Sequence, residues 1–267
     1  MLRLTSSCVA IAICLVACGG AGSSISVTPP SGPPTIDPAA ISEHAAQLDD
    51  KLPSRPPGSQ QEFAAAAYIL AHFQRAGYVA RLDSVPFKND VNSTNVVALP
   101  PSGGAPTVAV VAPYGTGASS PSTGPSVGLL LELARALNVA FPHHSVEFVA
   151  LGAEYTSLHG GALGSRRLAK IFLGGHEEPL VLVLDASGSG GSLEANPNGA
   201  AIGFWRTLMH VAFGKSVPQP SGPTPSPDVF ASAGLPRIVV AGGAAELGSV
   251  LLRFLESPGV QPSPTSS

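Results

Sequence analysis

Thr107-Val108-Ala109-Val110-Val111-Ala112 decides the fold, because no strongly polar side chain interrupts it. A short apolar run of this kind, rich in β-branched residues, reads as a strand buried on both faces. Leu180-Val181-Leu182-Val183-Leu184 repeats the pattern, and Ser145–Leu151 and Pro236-Arg237-Ile238-Val239-Val240 are two further strands. Between them lie helical patterns: Val127 to Leu137, a segment within Gly161 to Leu173, Ile202 to Phe213, and Ala244 to Leu255. Strands alternating with amphipathic helices predict an α/β fold of three layers, with a mainly parallel sheet covered on both faces.

Upstream, Asp37 is placed to cap a helix opening at Pro38, with Ile41, Ala45 and Leu48 at helical spacing. Arg55-Pro56-Pro57-Gly58-Ser59 reads as a turn. Gln61–Ala76 then reads as a helix presenting Phe63, Ala67, Leu70 and Phe73 on one face and closed by Gly77. Tyr78–Asp83 and Thr94–Leu99 read as strands. No internal repeat is present.

Composition narrows the function. The 267 residues carry 14 basic and 17 acidic side chains, a net charge of −3, and 44% are hydrophobic. That is enough apolar material for one sizeable core and too much for a disordered chain. Charged residues are only 12%, about half of the usual ~25%, and no basic stripe exists, which argues against a nucleic-acid partner. The 30 Gly and 27 Pro have no three-residue period, so they mark loops and linkers and not collagen.

All three cysteines, Cys8, Cys14 and Cys18, fall at the start of the chain, so the folded part has no disulfide and no thiolate metal site. Arg3 followed by the apolar Cys8–Val16 reads as a signal peptide, too short for a membrane span. Leu15-Val16-Ala17-Cys18 resembles the bacterial lipobox, which implies lipidation at Cys18. Ordinary cleavage near Ala17 or Ala21 is the alternative. The organisation expected is a signal peptide over 1–17, a Pro/Gly/Ser-rich tether over 18–38, an α/β domain over 39–257 and a frayed tail over 258–267, in an exported, membrane-anchored cell-envelope protein.

Three loops at strand ends resemble one family. Gly152-Ala153-Glu154 closes a strand, and Leu158-His159-Gly160-Gly161-Ala162-Leu163-Gly164-Ser165 follows into a helix. Arg55–Ser59 precedes an Ala-rich helix ending in Gly77-Tyr78. Ser93–Ala98, Leu130–Leu137 and Phe230–Pro236 follow in order. Together these are similar to the di-zinc aminopeptidases of metallopeptidase family 28 (clan MH). The resemblance implies two zinc ions held by His, Asp and Glu, with a Glu general base acting on a bridging water.

Carried over position by position, the resemblance places the base on Glu154 and one ligand on Asp185. The first imidazole falls on Pro113, the bridging Asp on Ser122 and the Glu ligand on Tyr155, and the last His loop has no counterpart after Ala241-Gly242-Gly243. A lone carboxylate contributes little to a divalent site. The expectation is therefore a pseudo-peptidase without zinc that binds a peptide or partner protein. The alternative is an active zinc aminopeptidase with rearranged ligands drawn from Glu154, Asp185, His159 and His176. A serine hydrolase is a third reading, since Gly124-Pro125-Ser126-Val127-Gly128 fits Gly-x-Ser-x-Gly and Ser126, Asp185 and His210 follow in triad order. His143-His144 reads as a solvated loop, and His176-Glu177-Glu178 as a polar loop. Asn92-Ser93-Thr94 is a glycosylation sequon only in a eukaryotic secretory setting.

Overall fold

In the computed structural model the chain divides into Met1–Gly32 and Pro33–Ser267. The structure describes residues 34–116, 120–156, 160–186, 194–198, 201, 203, 206 and 229–257, all within the second unit. The leader, Cys18, the 218–227 loop, the 258–267 tail and most of the 202–213 helix lie outside the described residues, as do His159 and His210.

The described strands form one seven-stranded sheet: β1 (Val79–Lys88), β2 (Val91–Leu99), β3 (Val108–Pro113), β4 (Val146–Leu151), β5 (Leu180–Asp185), β6 (Glu194–Pro197) and β7 (Arg237–Ala241), in the order β1-β2-β4-β3-β5-β7-β6. The four central strands β4, β3, β5 and β7 run parallel, as expected. β1 and β2 form an antiparallel hairpin joined to β4, and β6 pairs antiparallel with β7. The hairpin strands run longer than their apolar cores indicate. Asn89 and Asp90, with φ of 48° and 61°, make the tight turn between them, a left-handed pair suited to these residue types.

Helices α1 (Pro38–Asp49), α2 (Gln60–Arg75), α3 (Gly124–Ala140) and α6 (Ala244–Leu255) cover one face. Helices α4 (Leu163–Gly174) and α5 (Val229–Ser232) cover the other. Alternate residues of one strand serve the two cores: Val108, Val110 and Ala112 pack under α3, while Ala109 and Val111 pack with Leu168 and Phe172 of α4. This double burial is why the strand sequences are continuously apolar.

Local signals set the helix ends. Asp37 accepts the Ala39 N–H at 2.9 Å, and Ser59 accepts that of Glu62 at 3.0 Å. After α2, Gly77 at φ 93° lets the Tyr78 N–H reach the Phe73 carbonyl and its own N–H reach that of Gln74, a Schellman closure.

Two expectations are corrected. The buried face of α2 is Glu62, Ala65, Ala66, Ile69 and Phe73, whereas Phe63 is 66% exposed. His144 is buried, not solvated. Its Nε2 lies 2.9 Å from the Tyr78 hydroxyl, which donates to the Ala134 carbonyl, and its Nδ1 accepts the Val146 N–H. The ring is therefore the neutral tautomer protonated on Nε2, and burial pushes its pKa down to about 4.

Candidate functional site

Pro113, Leu151, Asp185 and Ala241 end the four parallel strands on one edge of the sheet, where ligands bind in open α/β folds. The loops leaving this edge are tied to one another. The Tyr114 N–H meets the Leu151 carbonyl at 3.0 Å, and the Gly242 N–H meets that of Asp185 at 3.3 Å.

The loop after β3 is organised by a buried cation. Arg55 has no exposed surface. Its Nε donates to the Tyr114 carbonyl at 2.6 Å and one terminal nitrogen to Thr123 Oγ1 at 2.6 Å. The other donates to the carbonyls of Leu48 and Leu52. Asp49 lies 3.6 Å from the guanidinium. The Asp49 carboxylate also accepts the Gly124 N–H, at 3.2 Å, and the Ser122 hydroxyl, so an α1 side chain places an anion at the N-terminus of α3. Ser122 thus serves the start of a helix, and Pro113 offers no donor atom.

The loop after β4 is equally committed. Gly152 sits where a Cβ would come within 2.4 Å of the Thr94 carbonyl, and Gly164 where one would come within 2.4 Å of the Gly152 carbonyl. Only glycine permits this approach of α4 to the hairpin. The residue preceding α4, Ala162, is left-handed (φ 53°) and caps nothing with its side chain. Glu154 does this from a distance: its carboxylate accepts the Ser165 N–H at 2.7 Å and the Ser165 hydroxyl at 2.8 Å. Burial raises the Glu154 pKa to about 7, against the lowering effect of those bonds.

Tyr155 follows, half-buried, its phenol pushed up to about 12 by burial first and then by the charges of Asp185 and Glu154. Glu154, Tyr155 and Asp185 are therefore electrostatic neighbours, brought together from the ends of β4 and β5. As zinc donors Pro113, Ser122 and Tyr155 do not fit, and Asp185 alone of the ligand positions keeps a carboxylate. Proline has no lone pair to give, Ser122 and Glu154 are spent on helix starts, and Tyr155 is a neutral phenol. Among the described residues no three His, Cys, Asp or Glu side chains are grouped to hold a metal.

Of the rearranged ligand set, Glu154 and His176 lie at opposite ends of α4, and His159 lies outside the described residues. Glu154 caps the first turn of α4 and His176 follows its last, and a twelve-residue helix spans about 18 Å. The serine-hydrolase reading fails on geometry. Ser126 lies in the first turn of α3, with residues 114–123 separating it from β3, and its Oγ accepts the Ala186 N–H at 2.9 Å. That serine ties α3 to the end of β5 and does not stand on a strand–helix elbow.

Two residues at this edge escaped the sequence reading. Arg55 was legible only as part of a turn. Glu62, 3% exposed, accepts the Gly58 N–H and the Ser93 hydroxyl and is also bonded by the Ala153 backbone. Its signal was present: Ser59-Gln60-Gln61-Glu62 is a Ser-x-x-Glu capping box before an apolar run.

No protein-family model matches the chain, and no curated protein matches it. Solved structures do. A Zn-dependent exopeptidase from Parabacteroides distasonis superposes with TM-score 0.67 at 14% identity, covering 84% of this chain and 98% of the other. Glutaminyl cyclase from Porphyromonas gingivalis gives 0.67 at 15% identity, covering 83% and 98%. A leucine aminopeptidase precursor from Bacteroides thetaiotaomicron gives 0.64 at 16% identity, covering 84% and 98%. Architecture, strand order and this coverage establish that the chain has the fold shared by Zn-dependent exopeptidases and glutaminyl cyclases.

Proposed function

We propose that this chain is an exported, lipid-anchored member of the family-28 aminopeptidase lineage that does not hydrolyse peptides and acts by binding a peptide or partner protein at the carboxyl edge of its sheet. One observation carries the reading: of the positions that the resemblance assigns to metal ligands, Asp185 alone keeps a carboxylate, while Ser122 and the base position Glu154 hold helix starts and Pro113 and Tyr155 bring no charged donor. The bridging-ligand position, Ser122, bonds Asp49, and the base position, Glu154, spends both oxygens on Ser165. A general base must meet the water it activates, whereas Glu154 is 5% exposed and held by Ser165 through both oxygens, and a divalent ion needs several ligands closing together.

Elemental analysis of the purified protein after incubation with excess zinc, paired with aminopeptidase and glutaminyl-cyclisation assays, tests the reading. The expected result is zinc well below one equivalent and no turnover. Stoichiometric zinc whose removal abolishes a measured activity would overturn it. For the anchor, Cys18→Ala is expected to move the protein from the membrane fraction to the soluble one, and retention in the membrane overturns lipidation at that residue.

A further inference from the structure

At the other end of the sheet, a cavity of about 190 Å³ opens between the β1–β2 hairpin, the loop after β2 and the C-terminal half of α4. Its walls are mostly apolar, with Val97, Leu99, Leu168 and Phe172 among them, and glycines and prolines of the 100–106 loop form a rim. Arg81, Glu147 and Glu177 are the titratable groups in the lining.

Glu147 is the exception to the pattern at the opposite edge. It is the second residue of β4 and 6% exposed. Val146 and Phe148 on either side of it pack under α3, so its own side chain points to the α4 side. Among the described residues it has no hydrogen bond and no ion pair. Only the longer-range charges of Arg81 and Glu177 act on it. Its oxygens are not among the enclosed side-chain atoms that lack a partner, so the carboxylate opens to the cavity with no protein donor upon it.

We propose that this cavity is a binding site for a small organic ammonium compound: one protonated primary amine on a short apolar body, the ammonium on Glu147 and the body against Leu168 and Phe172. Three features converge on a cation. Two carboxylates and one guanidinium line it, leaving an excess of negative charge. The C-terminus of α4, the negative end of a twelve-residue helix, lies at the same place. The buried anion has bonding capacity that the protein leaves unused. Size limits the body, since a cavity of ~150 Å³ suffices for benzene. The site is independent of the proposed peptide-binding edge: Glu147 is four residues upstream of the end of β4, or about 13 Å along the strand.

Isothermal titration of the intact protein with 3-methylbutylamine, 3-methylbutanol and 3-methylbutanoate tests the proposal. The amine is expected to bind saturably, and the isosteric alcohol and carboxylate at least about tenfold more weakly, as expected when one charge-assisted bond is missing. Near pH 7 amine binding should release protons from Glu147, read as a dependence of the apparent heat on buffer ionisation enthalpy. Glu147→Gln, nearly isosteric and without the charge, should weaken the amine about tenfold and abolish the proton release. Arg81→Gln should tighten amine binding by removing the competing cation. Equal binding of alcohol and amine would show an apolar hole only. That result, the absence of saturable amine binding, or Glu147→Gln behaving as wild type overturns the proposal. Zinc content and peptidase assays do not bear on it, so its failure and that of the pseudo-peptidase reading are distinguishable.

Discussion

Glu154 and Glu147 sit on the same side of the sheet, are 5% and 6% exposed, and are both raised to a pKa of about 7 by burial. They differ in company. Glu154, at the carboxyl edge, is wired to Ser165 and through it to the start of α4. Glu147, at the amino edge, has only distant charges for neighbours. At the carboxyl edge the described carboxylate is part of the framework, and at the amino edge the carboxylate has no protein partner among the described residues. A perturbed pKa alone does not distinguish the two, but the inventory of hydrogen bonds does.

The contrast can be broken or sharpened by substitution. The largest effect is expected at Arg55, the cation that holds the framework edge. Arg55→Met keeps the stem but takes the guanidinium away from Asp49, Thr123 and the carbonyls of Leu48, Leu52 and Tyr114, and should cost about 4 kcal/mol in urea unfolding. Glu154→Leu should cost about 2 kcal/mol by uncapping α4, with hydrogen exchange rising first in Leu163–Ser165. Glu147→Gln should move stability in the opposite direction. A carboxyl raised from its ordinary range to about 7 in the fold stabilises fully below the unfolded value, and that contribution is lost as pH rises through 7. Arg81 and Glu177 are the charged groups that act on it. The variant should therefore match wild type near pH 4 and exceed it by on the order of 1 kcal/mol at pH 8, measured by parallel denaturant curves. If Glu147→Gln destabilises at pH 8 as Glu154→Leu does, the two carboxylates are alike and the contrast fails.

Much of the fold was legible because apolar periodicity speaks directly of burial. Thr107–Ala112 and Leu180–Leu184 gave strands, and Ala244–Leu255 gave a helix with its limits as observed. What was missed has physical causes. β6, Glu194–Pro197, is a four-residue edge strand with no apolar pattern, ending in a proline that edges alone tolerate. The face of α2 was rotated by one residue because Glu62 is buried through its bonds and not through hydrophobicity, leaving Phe63 outside. Likewise His144 sits in the core because Tyr78, far away in sequence, satisfies it. At the site, sequence alone placed Glu154 before α4. It could not show that both carboxylate oxygens bond Ser165, nor that Arg55, inside a Pro-Pro-Gly turn, is wholly enclosed. Those facts depend on partners brought together from distant parts of the chain.

The segment leading into α1 is fastened to the middle of α3. The Asp37 N–H donates to Glu132 at 2.7 Å, and Arg135 donates to the Thr35 carbonyl at 3.0 Å. Ile36 also lies against α6, where a Cβ on Gly248 would come within 3.0 Å of it. The first described residues and the last helix thus share a seam over one central helix. Circular permutants that join residue 257 to residue 34 through a short linker and open the backbone at Gly103-Gly104 would keep that seam closed, so the order in which the ribosome delivers these elements is separable from the architecture they reach.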